Sequence, residues 1–319
     1  MSDELLTLSY LELSTQNPVL RTQNPVLNTQ NFIPSLYYII VRQQSYTKNI
    51  MQSNTIAGIE LLFFENLSSY GSLLQAVTTR TGGKSPQPFE SLNLGLNTGD
   101  IPANIEANHT ILSRALEFDL SQLVSSHQVH GNEIMFINDE IVKSLPDPVS
   151  HSFTGFDALV TDRPGLLLMI RVADCVPLIL FDPGKNIVAI VHAGWKGTLA
   201  KIAAKTVIEM ADRYGVSPRD IKAGIGPAIG PCCFAVGEDV AGLFYNKFSE
   251  GGAFITQKDN AFFISLREAN RLQLLGAGCR AHNIEVSGMC TSCNSDLFFS
   301  HRREKGKTGR FGLLAGLRT

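Results

Sequence analysis

A cysteine and a histidine adjoin two apolar runs in residues 171–197, RVADCVPLILFDPGKNIVAIVHAGWKG. Cys175 precedes the run VPLILFD, and His192 lies near the end of the run IVAIVHA. Short apolar, β-branched runs bounded by Asp, Pro and Gly are typical of buried strands, so both side chains are expected at strand ends beside loops. A thiolate and an imidazole placed there suit either a nucleophile with its base or a metal site.

A further motif, SSHQVHGNEI at 125–134, contributes His127 and His130. Gly131 lets the backbone turn close to a site after His130. Together, His130, Cys175 and His192 would supply three ligands, the number typical of catalytic zinc sites, which keep one position open for water. The spacing alone is also consistent with structural roles, in which Cys175 is a buried apolar residue and His192 is hydrogen-bonded to the backbone. His127 is either a fourth ligand or faces solvent.

The elements that must position these residues are predicted from residue 56 onward. Runs such as DALVTD, GLLLMIRV and IVAIVHA predict buried strands. Helices are predicted over 104–118 and over 197–214, the second stopped by Gly215. Strands and helices in irregular order favour a layered α/β or α+β domain rather than a strictly wound sheet. We therefore predict a single catalytic domain over 56–319.

The N-terminal part of the chain has a different pattern. Residues 15–32, TQNPVLRTQNPVLNTQNF, repeat with a period of seven, and the prolines in each repeat would break a helix. The repeat is also too short for a solenoid. We predict that residues 1–55 form a disordered extension. The methionine at position 51 leads to the hypothesis that residues 1 to about 50 are dispensable.

Composition narrows the class of protein. The 319 residues are 44% hydrophobic and 18% charged, which is an ordinary globular balance, and the net charge is −2. This net charge disfavours nucleic acids and anionic membranes as partners, because proteins that bind them usually carry an excess of basic residues. No apolar run approaches the ~18–20 residues of a membrane span, and no secretory signal is evident. Six cysteines are too sparse for a disulfide scaffold, so we expect a cytoplasmic protein with free thiols or metal ligands.

Several segments together resemble one known family. They are QVHG, RVADCVPLILFDP, VAIVHAGWKGTLAKI, IGPAIGPCCFAVGEDV, CTSCNSDLFFSHRREKGKTGRFG, TTRTGGKS and SLNLGLNTGD. The family is known variously as multicopper polyphenol oxidase (laccase-like), peptidoglycan editing factor and zinc-dependent purine nucleoside phosphorylase. The resemblance covers roughly residues 58–319 and implies a multilayer α/β sandwich. It also implies that His130, Cys175 and His192 are the metal ligands.

The resemblance implies phosphorolysis of adenosine, inosine, guanosine and methylthioadenosine, and deamination of adenosine. A purine nucleoside and phosphate are thus the expected partners, and zinc the expected metal, with copper as the alternative for nitrogen and sulfur donors. Cys175 and Asp174 are the catalytic candidates, Asp174 as acid/base with Asp157 as its rival. Arg80 and Arg303 are the expected phosphate-binding residues, because phosphate binding calls for arginine or backbone N–H donors.

Two other hypotheses remain open from the sequence. A Cys/His amidase editing peptidoglycan precursors would use Cys175 as nucleophile and His192 as base, without a metal. A copper-dependent polyphenol oxidase ranks lowest, because seven histidines are few for a multicopper site. A non-enzymatic binding module is disfavoured, since three ligands leave an open coordination position.

Trp195 is a candidate for stacking on a purine, although a lone tryptophan more often packs in the core.

The segment CTSC contains a CxxC pair, Cys290 and Cys293. A structural zinc site would need a second pair, and Cys232, Cys233 and Cys279 lie at poor spacing for one. We therefore predict a loop with free thiols, with a redox pair as the alternative.

Overall fold

The computed structural model describes residues 51–144 and 152–319. The strands are β1 Gln52–Ile56, β2 Ile59–Phe63, β3 Leu73–Thr78, β4 Leu123–His127, β5 Ile134–Ile137, β6 Ser152–Thr154, β7 Ala158–Thr161, β8 Leu167–Val172, β9 Val176–Asp182, β10 Ile187–Ala193, β11 Lys222–Ile225, β12 Ala235–Val236, β13 Ile255–Lys258, β14 Ala261–Ile264, β15 Ile284–Val286 and β16 Phe311–Leu317. The helices are α1 Pro102–Leu116, α2 Asp139–Ser144, α3 Trp195–Leu199, α4 Ile202–Tyr214, α5 Glu238–Lys247, α6 Gly251–Phe254 and α7 Leu266–Gly276.

Two large mixed sheets form the centre of the domain. The first has seven strands in the order β1-β2-β3-β16-β8-β4-β6, and the second has six in the order β15-β11-β9-β10-β7-β5. In the first sheet β4 runs parallel to β8 and β6, while the other neighbours are antiparallel. In the second sheet β15 and β5 run parallel to their neighbours. A third sheet, β12-β14-β13, is small.

The buried side chains divide into layers according to the two faces of each strand. Leu168 and Ile170 of β8 share one core cluster with Ile179 of β9 and Ile190 of β10, so the two large sheets pack against each other. The opposite face of the six-stranded sheet packs on α4 and α7, and the outer face of the seven-stranded sheet packs on α1. The result is a four-layer α/β/β/α sandwich with mixed sheets, which confirms the predicted multilayer α/β fold.

Strands β9 and β10 are buried at every position because they are covered on both faces. Their sequences are therefore continuous apolar runs rather than alternating ones. The turn between them is held by Asp182, whose carboxylate accepts the N–H groups of Gly184 and Lys185. These two strands form the hairpin that ends at the candidate site.

The helix predicted over 197–214 is interrupted in the structure. Lys201 adopts a left-handed backbone conformation with φ of 60°, which separates α3 from α4. The helix predicted over 104–118 corresponds to α1, which begins two residues earlier with Pro102 in its first turn.

The predicted domain boundary at residue 56 needs correction. Strand β1 pairs antiparallel with β2, and Met51 is only 1% exposed within the core between the two large sheets. Residues 51–55, assigned above to the extension, thus belong to the folded domain. The TQNPVL repeat and the rest of the proposed extension, 1–50, lie outside the described residues. No helix in the described part of the chain has the length and apolar character needed to cross a membrane.

Candidate active site

The β9–β10 hairpin places Cys175 and His192 at the same end of the six-stranded sheet. His192 pairs with Pro177 and Ala193 pairs with Val176, so Cys175, one residue before β9, lies just beyond the last pair. Because antiparallel neighbours start and finish at the same edge, a 17-residue separation in sequence becomes a direct contact in space.

His130 reaches the same point from the seven-stranded sheet, in the loop after β4. Its backbone is left-handed, with φ of 62°. The carboxylate of Asp157 accepts the backbone N–H groups of Val129, His130 and Gly131 at 3.3, 3.0 and 2.7 Å. These bonds offset the cost of the unusual conformation, which is uncommon for residues other than glycine.

Asp157 also contacts the second histidine. Its Oδ1 lies 2.7 Å from Nδ1 of His192, and its backbone carbonyl accepts the N–H of His192. Burial would raise the pKa of the Asp157 carboxyl, but the hydrogen bond and charge of His192 and the loop N–H groups outweigh it and lower the pKa. Because Nδ1 of His192 is occupied by this carboxylate, Nε2 is the ring nitrogen left for the site.

The Cys175 thiol is strongly activated. Burial opposes ionisation, but the charge of His192 and hydrogen bonds with His130 and His192 lower the pKa of Cys175 to about 6. Burial likewise disfavours charge on His192, yet the Cys175 thiolate and the Asp157 carboxylate raise the pKa of His192 to about 9. In the absence of a metal, Cys175 and His192 therefore stabilise each other's charged forms.

The three side chains also have the geometry of a metal-binding group. The ligand atoms of His130, Cys175 and His192 all lie within 4.8 Å of one another, and the two imidazole rings meet edge to face at 4.8 Å between centroids. Gly194 makes this convergence possible. A Cβ atom at Gly194 would lie 2.9 Å from the His130 ring and 3.1 Å from the Cys175 sulfur. Two imidazoles and a thiolate are donors that Zn²⁺ and copper accept.

These donors lie in a cleft of about 1010 Å³. Its walls carry three arginines, Arg171, Arg302 and Arg310, and apolar side chains that include Trp195 and Phe234. Burial lowers the pKa of Arg171 to about 10. Arg171 therefore remains charged near neutrality, and the site combines metal donors, positive charge and aromatic surface.

Asp174 lines the same cleft, and both of its carboxylate oxygens accept hydrogen bonds from the protein. Its Oδ1 accepts the hydroxyl of Thr291 at 2.6 Å, and its Oδ2 accepts the N–H of Arg302 at 2.7 Å. Its backbone is left-handed, with φ of 93°. Asp174 thus joins the Cys175 segment to the loop of Thr291 and to the loop of Arg302, which lines the cleft.

The structure does not bring Arg80 and Arg303 to this cleft. The guanidinium of Arg80 binds the carbonyls of Glu90 and Ser295 and the carboxylate of Glu304, beside a separate pocket of about 350 Å³. The guanidinium of Arg303 binds four acceptors, the carbonyls of Thr291, Ser292 and Phe298 and the Glu304 carboxylate. Both arginines brace loops, because their donors are already used by the protein.

The sequence analysis missed Arg171 as a cleft residue, and among the arginines of the C-terminal motif it selected Arg303 rather than Arg310. Arg171 is the one charged residue inside the apolar run GLLLMIRV. A charged side chain in a buried strand indicates a specific partner or function, because charged residues are seldom buried without one. Its Nε donates to the carbonyl of Leu94 at 2.7 Å. Arg310 carries no comparable signal, since it stands in a polar Gly-containing segment. His127 lies at the rim of the cleft and is exposed, and it is not part of the three-ligand group.

The fold and the site define a layered α/β protein with a group of two histidines and one cysteine that could hold a metal ion. The chain belongs to the family described as multi-copper polyphenol oxidoreductase laccase, which matches residues 74–318. The resemblance noted from the sequence is therefore confirmed.

Named relatives extend this assignment. The chain is 38% identical over 251 residues to the purine nucleoside phosphorylase YlmD of Geobacillus stearothermophilus, covering 78% of this chain and 92% of that protein. It is 34% identical over 235 residues to the adenosine deaminase RL5 of an unknown prokaryotic organism, covering 73% and 89%. The crystal structure of YlmD from G. stearothermophilus superposes with a TM-score of 0.78 at 36% identity, covering 85% of this chain and 99% of that one. The relatives so named are enzymes.

Proposed function

We propose that this chain is a zinc-dependent purine nucleoside phosphorylase that also deaminates adenosine. The observation that carries the proposal is the convergence of His130, Cys175 and His192 in a cleft with arginines and aromatic side chains on its walls. The names of the relatives support the same reaction class. A cytoplasmic location belongs to the proposal, because free thiols persist in a reducing compartment.

The metal would be held by the two imidazoles and the Cys175 thiolate. A zinc ion held there would supply positive charge able to polarise a bound substrate atom. Asp157 keeps the donors in place, since it binds Nδ1 of His192 and the backbone of His130. Copper also accepts this donor set, so metal analysis is part of the test below.

Phosphate recognition is assigned to the cleft arginines rather than to Arg80 and Arg303. Phosphorolysis joins a phosphate oxygen to the ribose C1′ as the bond to the purine breaks, so the phosphate must be held against the sugar. Arg171 and Arg310 are partly buried in the cleft wall, where guanidinium–phosphate hydrogen bonds are strong. Arg302 completes a positively charged wall on the same cleft.

The purine is assigned to the aromatic side of the cleft. Trp195 opens α3 immediately after the hairpin that carries His192, and Phe234, in the loop after β11, lines the same cleft. A flat aromatic base gains both burial and stacking against such side chains. The base would then lie beside His130, Cys175 and His192, with either its glycosidic bond or its exocyclic amine next to these side chains.

Asp174 is proposed as a positioning residue. Both carboxylate oxygens accept hydrogen bonds from the protein, from Thr291 and Arg302. A carboxylate committed in this way holds the Arg302 loop against the cleft and is poorly placed to carry protons to substrate. Cys175 remains the proposed catalytic thiolate, as a metal ligand.

One observation favours a second candidate, a Cys/His amidase. Cys175, His192 and Asp157 form a nucleophile–base–carboxylate relay, with His192 bonded to Asp157 at 2.7 Å. This arrangement activates thiolates in hydrolases without a metal. His130, on the other side of the thiolate, has no task in that mechanism, whereas it is a third ligand in the metal site.

The deciding experiment measures purine release from adenosine by chromatography, with and without phosphate, together with the metal content of the same preparation. We expect phosphate-dependent adenine formation that is lost on chelation and regained on adding zinc. Cys175→Ala is expected to lose both the metal and the activity, while Cys279→Ala, a buried cysteine outside the cleft, keeps both.

Two outcomes would redirect the assignment. Folded, zinc-loaded protein without turnover of any purine nucleoside contradicts the nucleoside function. Activity on peptide amides that survives complete metal removal and still requires Cys175 establishes the amidase.

A further inference from the structure

Four cysteines that the cleft chemistry does not use lie together on two loops. Cys232 and Cys233 come from the loop after β11, and Cys290 and Cys293 come from the CxxC segment after β15. The Cys293 sulfur is 3.6 Å from that of Cys232 and 3.4 Å from that of Cys233. All four sulfur atoms lie within 4.8 Å of one another. We call this group the four-thiol cluster.

The two loops are built to approach each other. Ala228 and Cys290 form a parallel β-bridge, and the N–H of Thr291 donates to the carbonyl of Ala228. Gly230 sits between the loops, where a Cβ atom would lie 3.1 Å from the Cys232 sulfur and 3.2 Å from Cβ of Cys290. The absence of a side chain at Gly230 is therefore a condition for the sulfur atoms to meet.

Hydrogen bonds from the loop backbone and from neighbouring arginines hold the cluster in place. The N–H of Gly230 donates to the Cys290 sulfur at 3.1 Å, which is the kind of bond that orients and stabilises a ligating sulfur. Three guanidinium groups hold the same loops. They are Arg267, bonded to the carbonyls of Ser287 and Met289, Arg302, bonded to those of Cys233 and Ala235, and Arg303, bonded to those of Thr291 and Ser292.

We propose that the four-thiol cluster is a second metal site, a structural Zn²⁺ site with four thiolate ligands. Zn–S bonds of about 2.3 Å in a tetrahedron place neighbouring sulfur atoms about 3.8 Å apart. The separations from Cys293 to Cys232 and Cys233 are close to this value. Four ligands complete the coordination, so the site is closed and structural rather than catalytic.

A pair of disulfides is the less favoured state of the same residues. Cys293 is about equally near Cys232 and Cys233, so no separate pairs are formed, and all four cysteines are free. Four sulfur atoms that converge on one point suit the coordination of one metal ion better than the formation of two separate disulfide bonds.

The site would fix a wall of the cleft. Phe234 follows Cys233 directly and lines the cleft, and Thr291 follows Cys290 and binds Asp174. Arg302 lines the cleft and binds the carbonyl of Cys233. Zinc at the cluster would therefore join the loops that position the purine side of the cleft. This second site does not depend on the proposed reaction, and its test counts metal rather than activity.

The experiment measures zinc per chain by elemental mass spectrometry in tag-free protein, purified anaerobically without chelators after growth with added zinc. We expect about two zinc ions per chain in the wild-type protein. The Cys232→Ser/Cys293→Ser variant should retain about one, and so should His130→Ala/Cys175→Ala, which leaves the cluster intact. Cys232→His preserves a ligand atom and should retain two, as should the control Cys279→Ala.

A second measurement does not alter the cluster at all. Co²⁺-loaded Cys175→Ser protein should show the intense thiolate-to-cobalt absorption of a tetrahedral site, because its cleft no longer offers a thiolate. Equal zinc in the wild type and in Cys232→Ser/Cys293→Ser, absence of the cobalt signal, or a disulfide within the cluster by non-reducing peptide mapping would overturn the proposal. Iron or copper in the cluster in place of zinc would overturn the zinc assignment.

Discussion

The Oδ1 atom of Asp157 lies 2.7 Å from Nδ1 of His192, and the same carboxylate binds the backbone of the His130 loop. One buried side chain therefore fixes two of the three donors, which come from different sheets. His130 depends on it for a left-handed backbone, and His192 depends on it for its tautomer and ring orientation. The geometry of the donor group is thus determined by a residue that does not belong to the group.

Replacing Asp157 with Asn should weaken metal binding while leaving all three ligands in place. The amide has no charge to stabilise His192, and only one of its atoms accepts hydrogen bonds from the loop N–H groups. Loss of such outer partners typically lowers metal affinity about 10- to 100-fold. Chelator competition on folded protein measures this change, with Asp212→Asn, an exposed carboxylate on α4, as control. Unchanged affinity in Asp157→Asn would contradict the role.

Arg310→Met should separate the two proposed reactions. Phosphorolysis uses phosphate and deamination uses water, so loss of a phosphate-binding guanidinium should raise the KM for phosphate. A hydrogen bond to a charged group contributes about 1.5–3 kcal/mol, which predicts an increase of roughly 10- to 100-fold. Adenosine deamination should change much less. Steady-state kinetics of both reactions test this, with exposed Arg219→Met as control; equal loss of both would indicate general damage to the cleft.

Trp195 provides a direct signal for purine binding. It is the single tryptophan of the 319-residue chain, and it lines the cleft. Stacking of a purine on the indole should quench its fluorescence in a saturable way. Titration with inosine, excited at the red edge of tryptophan absorption, measures the effect. Trp195→Leu should raise the KM for the nucleoside several-fold, since aromatic pairs contribute about 0.5–1.5 kcal/mol. A signal insensitive to saturating nucleoside would place the base elsewhere.

The sequence alone pointed to His130, Cys175 and His192, because local patterns mark the strands and the turn beside which they lie. Continuous apolar runs predicted the buried strands that contain or adjoin Cys175 and His192, and Gly131 marked the turn at His130. The distant partners were not accessible in this way. Asp157 remained only a rival acid/base candidate, since nothing in GFDALVT shows that its carboxylate faces three N–H groups of another segment.

The arginines and the cysteines show the same limit. Arg80 and Arg303 lie in motifs as distinctive as that of Arg310, and only the fold decides which guanidinium groups line the cleft. The spacing of Cys232 and Cys233 relative to the CxxC is poor for a zinc motif when it is measured along the chain. The parallel bridge between Ala228 and Cys290 brings the two pairs together across about 60 residues.

Truncation tests where the folded domain begins. A chain starting at Met51 keeps β1 and the buried Met51 side chain, so we expect activity and thermal stability equal to those of the full chain. A chain starting at Ile59 loses the pairing of β1 with β2 and the burial of Met51. Burying one such side chain contributes about 1.5–3 kcal/mol, so the melting temperature should fall by several degrees. Loss of folding in the chain that starts at Met51 would contradict the hypothesis that residues 1–50 are dispensable.

His109 should make the stability of the domain fall in acid. It lies on α1 with Nδ1 2.8 Å from the carbonyl of Ile105, and burial together with the charge of Arg171 lowers its pKa from 6.5 to about 4. Between these values the unfolded chain binds more protons than the folded one, so the free energy of unfolding rises with pH across this window and levels off above it.

The shift corresponds to at most about 3 kcal/mol lost between neutral pH and pH 4. His109→Gln removes the titrating group, so its free energy of unfolding should decline less steeply over the same range. Urea unfolding of both proteins at several pH values between 4 and 7 measures the difference, and carboxyl groups common to both cancel in the comparison. Because Arg171 is the charge that faces His109, Arg171→Met should raise the histidine pKa and also reduce the slope. Identical slopes in wild type and His109→Gln would show that the imidazole is protonated equally in the folded and unfolded states.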